Sequence, residues 1–185
     1  KVVGVGGGGC NAVNQMFRDG INDVEFLVCN TDSQSLIDSP IIEKLQLGEG
    51  LGAGCDPEEG RRLAVEKVDE IKKRLSDGTK MLFITAGMGG GTGTGAAPVI
   101  AKISKEMGLL TIAVVTQPFR DEGTEFLRRA YEGIQELSKN VDSLLIIDNQ
   151  KIYDIYGDLN IWDAFPKADA VLQTAIKGIA EIITG

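Results

Sequence analysis

Two glycine-rich segments are the parts of this 185-residue sequence best suited to chemistry. The first, GVGGGG at residues 4–9, satisfies the pattern G-x-G-x-x-G, and the second, GMGGGTGTG, occupies residues 87–95. Glycine lets backbone N–H groups approach a ligand closely, and successive N–H groups can cradle an anion, to which Thr92 and Thr94 would add hydroxyl donors. One such segment is typical of a dinucleotide site or of a plain tight turn, whereas two predict a polyphosphate held between two loops.

Charge indicates how such a polyphosphate would be held. The second segment contains no lysine and does not match G-x-x-x-x-G-K-[ST], so it is not a P-loop. The chain has 19 basic and 27 acidic residues, a net charge of −8, and no basic run, so we expect neither nucleic acid nor anionic membrane as a partner. Backbone N–H groups, helix dipoles and Mg²⁺ bound with the nucleotide, not directly by protein ligands, would neutralise the phosphates.

Several function classes are excluded by composition. Histidine is absent, which removes Ser-His-Asp and Cys-His catalysis and the common zinc sites. Cys10, Cys29 and Cys55 form no C-x-x-C pair and predict reduced thiols in a cytoplasmic protein. No apolar run approaches the ~18–20 residues of a membrane span, so no direct membrane insertion is expected. Because the chain begins at Lys1 without methionine, we expect the original N-terminus to be missing.

Strands and helices alternate along the chain and must position these segments. Apolar runs predict strands at 1–5, 24–29, 44–47, 80–85, 109–116 and 141–147. Helical patterns follow the first glycine segment and cover 57–75, 96–107, 122–138, 151–156 and 167–183, with Asp56 as an N-cap before Pro57. The pattern is typical of an α/β, Rossmann-like, mostly parallel sheet flanked by helices on both faces and ending in a long helix. Both glycine segments would open onto one edge of that sheet.

The motif GGGTGTG at residues 89–95 resembles the signature of the tubulin/FtsZ family of GTPases, and AGMGGGTGTGAAP at 86–98 is most similar to the bacterial cell-division members of that family. The resemblance continues through KVVGVGGGGCNAVN at 1–14, CNTD at 29–32, QPF at 117–119 and the terminal helix. It implies a GTP-binding domain over residues 1–185, with GTP or GDP and Mg²⁺ as ligands and the family's C-terminal domain absent. The parent protein would be a cytoplasmic, polymer-forming GTPase of the septal ring, whose partners are further copies in a head-to-tail filament and other division proteins.

The same resemblance implies which residues bind the nucleotide. The phosphates would contact the first loop, a loop that senses the γ-phosphate, and the second loop, the residues being Gly6, Gly7, Gly8, Gly9, Cys10, Asn11, Ala53, Gly54, Gly89, Gly90, Gly91, Thr92, Gly93 and Thr94. Glu122 would bind the sugar, and Asn149, Phe165 and Asp169 would bind the guanine base. No catalytic residue is assigned, because the acidic loop that activates water in the neighbouring subunit is absent. The chain is therefore expected to bind nucleotide without hydrolysing it alone.

Some alternatives remain open at this point. The family's arginine four residues after Glu122 is Phe126 here, with Arg128 or Arg129 as substitutes. The loop at 48–54 is about three residues shorter than the family pattern. Cys10 could act as a reactive thiol, but a small packed residue is the better interpretation. Each of the sugar- and base-binding candidates also has an ordinary structural explanation. Glu122 and Asp169 could be charges at the start of a helix, Asn149 could be a turn residue, and Phe165 could be a core side chain. The alternative function is an NAD-dependent oxidoreductase, resting on G-x-G-x-x-G and Asp32, although it leaves the second glycine segment unexplained.

Overall fold

A strand apolar on both faces must be covered on both, and the strands at the centre of this fold meet that condition. In the computed structural model, which describes residues 1–21, 24–156 and 161–184, every residue of the first strand is buried. Six strands form one sheet in the order β3-β2-β1-β4-β5-β6, and all five pairings are parallel. The strands are β1 Val2–Val5, β2 Phe26–Asn30, β3 Lys44–Gln46, β4 Met81–Gly87, β5 Leu110–Gln117 and β6 Ser143–Asp148.

Helices cover both faces of the sheet. In chain order they are α1 Gly6–Arg18, α2 Ser33–Asp38, α3 Pro57–Val65, α4 Val68–Leu75, α5 Thr92–Glu106, α6 Thr124–Ser138, α7 Asn149–Tyr156 and α8 Ile161–Thr184, with a 3-10 turn at Arg120–Glu122. Val3 of β1 belongs to the core under α3 to α6, and its neighbour Val2 belongs to the core under α1 and α8. The predicted α/β architecture with a long last helix is confirmed. Among the described residues, no helix is both long and apolar enough to cross a membrane.

The predicted 57–75 helix is wrong in one respect, because it is two helices. Asp56 caps α3 as predicted, its carboxylate accepting the N–H of Glu58 at 3.0 Å. The Lys67 N–H then donates to the carbonyl of Ala64 at 3.0 Å, a tight turn that ends α3 before α4 begins. Gly60 holds α3 against the start of α5, where a Cβ atom would overlap the carbonyl of Gly91.

Helix α5 begins earlier than its sequence indicates. The sequence predicts a helix from residue 96 with a loop before it, yet Thr92 to Gly95 form the first turn of α5. Close packing explains the difference, since a Cβ on Gly95 would overlap the carbonyl of Pro57 and one on Gly93 would lie 2.6 Å from the carbonyl of Gly87. The glycines are therefore required by contacts with neighbouring elements, which outweigh their low intrinsic helix propensity.

Candidate phosphate-binding cleft

A cleft of about 350 Å³ lies at the carboxyl ends of β1, β4 and β5. It is where both glycine segments predicted to bind a ligand come together. Its described lining is Gly7, Gly8, Thr85, Ala86, Gly87, Met88, Gly90, Gly91, Thr92, Gly93, Thr116, Pro118, Glu122, Phe126, Asn149 and Leu172. No lysine or arginine is among these residues, so the protein groups with positive electrostatic potential here are backbone N–H groups.

Two helices begin at this cleft, and neither is capped by a side chain. Helix α1 starts directly after β1, and α5 starts after Gly91, with no side-chain hydrogen bond at either N-terminus. The first N–H groups of an α-helix have no partner within the helix. The neighbouring helices α2 and α3 are capped by Asp32 and Asp56. Helices α4 and α6 also lack a side-chain cap, but α1 and α5 are the uncapped helices that begin within the glycine segments lining the cleft, an arrangement that favours an anion.

The two glycine loops pack directly against one another. Gly6 has a φ of +75°, and a Cβ atom there would lie 2.9 Å from the backbone nitrogen of Gly93. A Cβ on Gly8 would lie 3.3 Å from Cα of Gly87, and one on Gly9 would overlap the carbonyl oxygen of Thr85. By contrast, Gly7 and Gly90 face open space. Gly6 and Gly9 therefore serve packing, whereas Gly7 and Gly90 leave room for a ligand.

Thr92 and Thr94, both predicted as hydroxyl donors, differ in orientation. Thr92 lines the cleft, and its Oγ1 lies 2.6 Å from Oγ1 of Thr31. The Thr94 hydroxyl instead accepts the N–H of Gly89 at 2.8 Å, and this residue lines a separate groove between α3, α5 and α6. Thr94 thereby fixes the turn before α5. Because the Gly89 N–H is already hydrogen-bonded to Thr94, it is not free to donate to a ligand.

The loop at 48–54, predicted to sense a γ-phosphate, lies beside the second glycine segment. Ala53 is buried, and its Cβ would be 2.9 Å from a Cβ placed on Gly91. Gly54 is exposed and has open space around it. The Gly52 N–H donates to the carbonyl of Thr31 at 2.9 Å, which ties the loop to the end of β2. The loop therefore borders the cleft without being part of its described lining.

Polar side chains also line the cleft, and Glu122 is one of them. Glu122 is partly desolvated, which raises the pKa of its carboxyl, while the Phe119 N–H donates to its Oε2 at 2.6 Å and opposes that shift.

Asn149 is buried, and its Oδ1 has no hydrogen-bond partner. The hydroxyl oxygen of Thr85 is also buried and also has no hydrogen-bond partner. Within the described part of the chain these are the two buried side-chain oxygens without a partner, and both belong to cleft residues. Buried polar atoms rarely stay unpaired, so both are suited to a ligand.

Phe126, and not an arginine, occupies the cleft wall after Glu122. Its ring covers Gly89, whose φ is +115° and where a Cβ atom would overlap the ring. The Arg128 guanidinium pairs with Glu125 and Glu132 on the exposed surface of α6. Arg129 lines the groove between α3, α5 and α6. Neither arginine lines the cleft, so the structure does not support the suggested substitution for the family's arginine.

Cys10 and Asn11 of α1, like Gly6 and Gly9, lie apart from the described lining. Cys10 is buried, its thiol is 3.4 Å from the carbonyl of Cys29 and 3.5 Å from that of Gly4, and burial raises its pKa to about 12. It is a packed, un-ionised thiol, in agreement with the packing interpretation. Asn11 is exposed on α1, and its predicted contact with the nucleotide stays a prediction.

The predicted base-binding side chains of Phe165 and Asp169 lie outside the described residues. Their backbone belongs to α8, and Leu172, three positions after Asp169, lines the cleft. Thr85, Met88, Thr116, Pro118, Phe126 and Leu172 were not predicted as lining residues. The first four occupy or follow the ends of β4 and β5, and the position of a strand end at the shared sheet edge is the signal that could have identified them.

A second cavity, of about 360 Å³, lies at the opposite edge of the sheet. Its interior is formed by apolar residues such as Val2, Met16, Phe83 and Ile176, with charged residues at its rim. None of the predicted site residues lines it. The cleft at the carboxyl ends is the better candidate, because only there do unpaired N–H groups and unpaired buried oxygens converge.

Comparisons with known proteins agree with the geometry. A sequence model described as Tubulin/FtsZ family, GTPase domain, matches residues 1–157. The chain is 52% identical to the cell division protein FtsZ of Porphyromonas gingivalis over 188 positions, which cover 99% of this chain and 41% of that protein. It is 51% identical to FtsZ of Aquifex aeolicus, with 99% and 51% covered. The chain therefore spans about half the length of the curated relatives it matches.

Solved structures show the same relationship. An FtsZ dimer from M. jannaschii superposes with a TM-score of 0.94 at 44% sequence identity, covering 99% of this chain and 54% of that one. A GTPγS-bound protofilament structure of CetZ2 from Haloferax volcanii superposes with a TM-score of 0.83 at 23% identity, covering 95% and 56%, and shares the fold.

Proposed function

The chain belongs to the tubulin/FtsZ family, in its GTPase domain, and from that premise we propose that it binds a guanine nucleotide in the cleft at the carboxyl ends of β1, β4 and β5. The family match over residues 1–157 gives no support to the NAD-dependent oxidoreductase alternative. The observation that carries the proposal is the convergence of two uncapped helix N-termini, those of α1 and α5, on one cleft. Such termini supply the N–H donors and positive potential that phosphates require.

The remaining cleft residues fit the rest of a nucleotide. Asn149 offers a buried oxygen without a donor, which suits the N–H groups on the edge of a guanine base. Glu122 also lines the cleft, and its carboxylate oxygens are suited to accept hydrogen bonds from ribose hydroxyls. The assignments of Phe165 and Asp169 to the base rest on the family resemblance alone.

A magnesium ion would reach this cleft with the nucleotide. No cluster of three or more candidate metal ligands occurs in the described residues. Mg²⁺ commonly binds through phosphate oxygens and water with few protein ligands, so the glycine-lined cleft is compatible with it. The ion would supply the counter-charge that the described lining lacks.

GTP hydrolysis, head-to-tail self-association, other cell-division partners and a place at the septum are also proposed, for the longer protein. They are suggested by the family description, which names a GTPase domain, and by relatives described as cell division proteins and as a dimer, of which this chain covers about half. Nucleotide binding is the part of the proposal that the geometry of this chain supports directly.

Nucleotide identity tests the proposed function. The purified chain is denatured and any released nucleotide is identified, and the nucleotide-free protein is then titrated with GDP, ADP and NADH by calorimetry. We expect GDP to bind at least tenfold more tightly than ADP, and NADH not to bind. Binding of NADH with none of GDP would overturn the assignment to guanine nucleotides.

A matched pair of variants locates the site. Gly90→Asp puts a carboxylate into open space within the cleft, whereas Gly178→Asp puts one into open space on α8 outside the described lining. Repulsion of the phosphates should weaken GDP binding at least a hundredfold in the first variant and leave it nearly unchanged in the second. Equal affinities in the two variants would place the nucleotide elsewhere.

A further inference from the structure

Thr31 touches the phosphate-binding loop without lining the cleft itself. Its hydroxyl oxygen lies 2.6 Å from that of Thr92, and both residues are buried. Thr31 follows the last residue of β2, whereas Thr92 is the first residue of α5 and does line the cleft. This hydroxyl pair joins two segments 61 residues apart in the sequence.

The backbone around Thr31 holds its side chain in one place. The Thr31 N–H donates to Oδ1 of Asn30 at 2.8 Å, and its carbonyl accepts the N–H of Gly52 at 2.9 Å. Only 2% of the residue is exposed to solvent. Both backbone groups are thus bonded, the residue is buried, and its hydroxyl has Thr92 as its hydrogen-bond partner.

When an anion is bound, the number of hydroxyl protons determines which of the two threonines is the donor in this hydrogen bond. Each hydroxyl has one proton to donate and two lone pairs to accept with. A phosphate oxygen is only an acceptor. The Thr92 hydroxyl must therefore donate its one proton to the phosphate if Thr92 is to bind the phosphate. Thr92 can then serve Thr31 only as an acceptor, and Thr31 must be the donor. The reverse orientation would turn the lone pairs of Thr92 toward the phosphate, which is unfavourable.

We propose that Thr31 is a positioning residue for phosphate binding, which donates its hydroxyl proton to Thr92 so that the Thr92 hydroxyl is oriented and polarised to donate to a phosphate oxygen. This inference rests on the proposed function and adds a residue outside the cleft to it. Chains of hydrogen bonds strengthen one another in a buried environment, so the contribution of Thr31 depends on Thr92.

A purely structural tether is the competing explanation, and the chain contains a matched control. Ser104 and Thr111 form a second buried hydroxyl pair at 2.7 Å, which ties the other end of the same helix α5 to β5. Thr111→Val removes a hydroxyl from that pair, as Thr31→Val does from the first, but it lies outside the cleft lining. Both variants keep the β-branched shape of threonine.

The test is a double-mutant cycle on GDP affinity, measured by calorimetry on the wild-type chain, Thr31→Val, Thr92→Val and the double variant. We expect Thr31→Val to weaken GDP binding about tenfold, Thr31→Ser to restore it to within twofold, and Thr111→Val to leave it within twofold. In the Thr92→Val background, Thr31→Val should cause no further loss, because no hydroxyl remains for it to orient.

Other outcomes would overturn the proposal in distinguishable ways. An unchanged affinity in Thr31→Val, or the same tenfold loss in the Thr92→Val background, would show that Thr31 does not act through Thr92. A tenfold loss in Thr111→Val as well would show that loosening α5 is sufficient. Failure of the wild-type chain to bind GDP would refute the proposed function itself, which the wild-type titration reports before any variant is compared.

Discussion

Gly7 and Gly9 lie two positions apart in the first turns of α1, and their surroundings are opposite. A Cβ on Gly9 would overlap the carbonyl of Thr85 in β4, whereas one on Gly7 would meet no atom within 4 Å. Gly9 is the last glycine of the G-x-G-x-x-G pattern, whereas Gly7 occupies one of its unspecified positions, so the two glycines meet separate requirements. One glycine lets a helix approach the sheet, and the other leaves the cleft open.

This difference yields a prediction at the residue scale. Gly9→Ala should lower the free energy of unfolding by about 1–3 kcal/mol, the usual cost of forcing atoms into a packed interior. Gly7→Ala should be neutral or slightly stabilising, since alanine is the better helix former. Urea denaturation of both variants measures the contrast. A stability of Gly9→Ala equal to that of the wild type would show that α1 can move away from β4.

Several features of the site could be predicted from the sequence, and the reasons are local. Asp56 before Pro57 fixed the start of α3, and the glycine segments after apolar strands fixed the sheet edge where the cleft forms. The start of α5 at Thr92 was missed because it depends on contacts between Gly95 and α3, which no local pattern contains. Phe126 and Leu172 were missed as lining residues for the same reason.

At the scale of elements, Asp142 joins three of them. Its Oδ2 accepts the N–H of Thr111 at the start of β5 at 2.8 Å, and Oδ1 pairs with Lys105 in α5, while the residue itself precedes β6. The hydrogen bond from Lys105, then that from Thr111, lowers the pKa of the Asp142 carboxyl. A lowered pKa in the folded state means that the ionised form stabilises the fold.

The sign of this effect gives a pH-dependent prediction. The contribution of Asp142 is fully present above the ordinary carboxyl pKa and is lost as pH falls through its lowered value in the folded protein. Asp142→Ala should therefore cost about 1 kcal/mol at pH 7, allowing for solvent screening, and progressively less below about pH 4. Chemical denaturation across this range checks it, with the exposed Asp121→Ala as the control. A cost that stays constant to pH 2 would assign the effect to lost packing instead of charge.

At the scale of the whole molecule, local and long-range electrostatics oppose each other. The chain carries a net charge of −8, yet its cleft is built to receive an anion through uncapped helix N-termini. The attraction of a helix N-terminus acts within about one turn, whereas repulsion by the net charge extends over the ~10 Å screening length of 0.1 M salt. A nucleotide approaching from solution therefore meets repulsion before attraction.

Added salt should screen the repulsion more than the attraction inside the cleft. We therefore expect the association rate of GDP to rise about two- to fivefold between roughly 20 and 300 mM KCl at constant Mg²⁺. The dissociation rate should change less, because the contacts that hold the phosphates are partly buried. Stopped-flow measurement with a fluorescent GDP analogue separates the two rates. A fall in the association rate with salt would contradict this prediction, because it would mean that the helix N-termini dominate the electrostatic field at long range. The absence of lysine and arginine from the described cleft lining would then not slow the association of GDP.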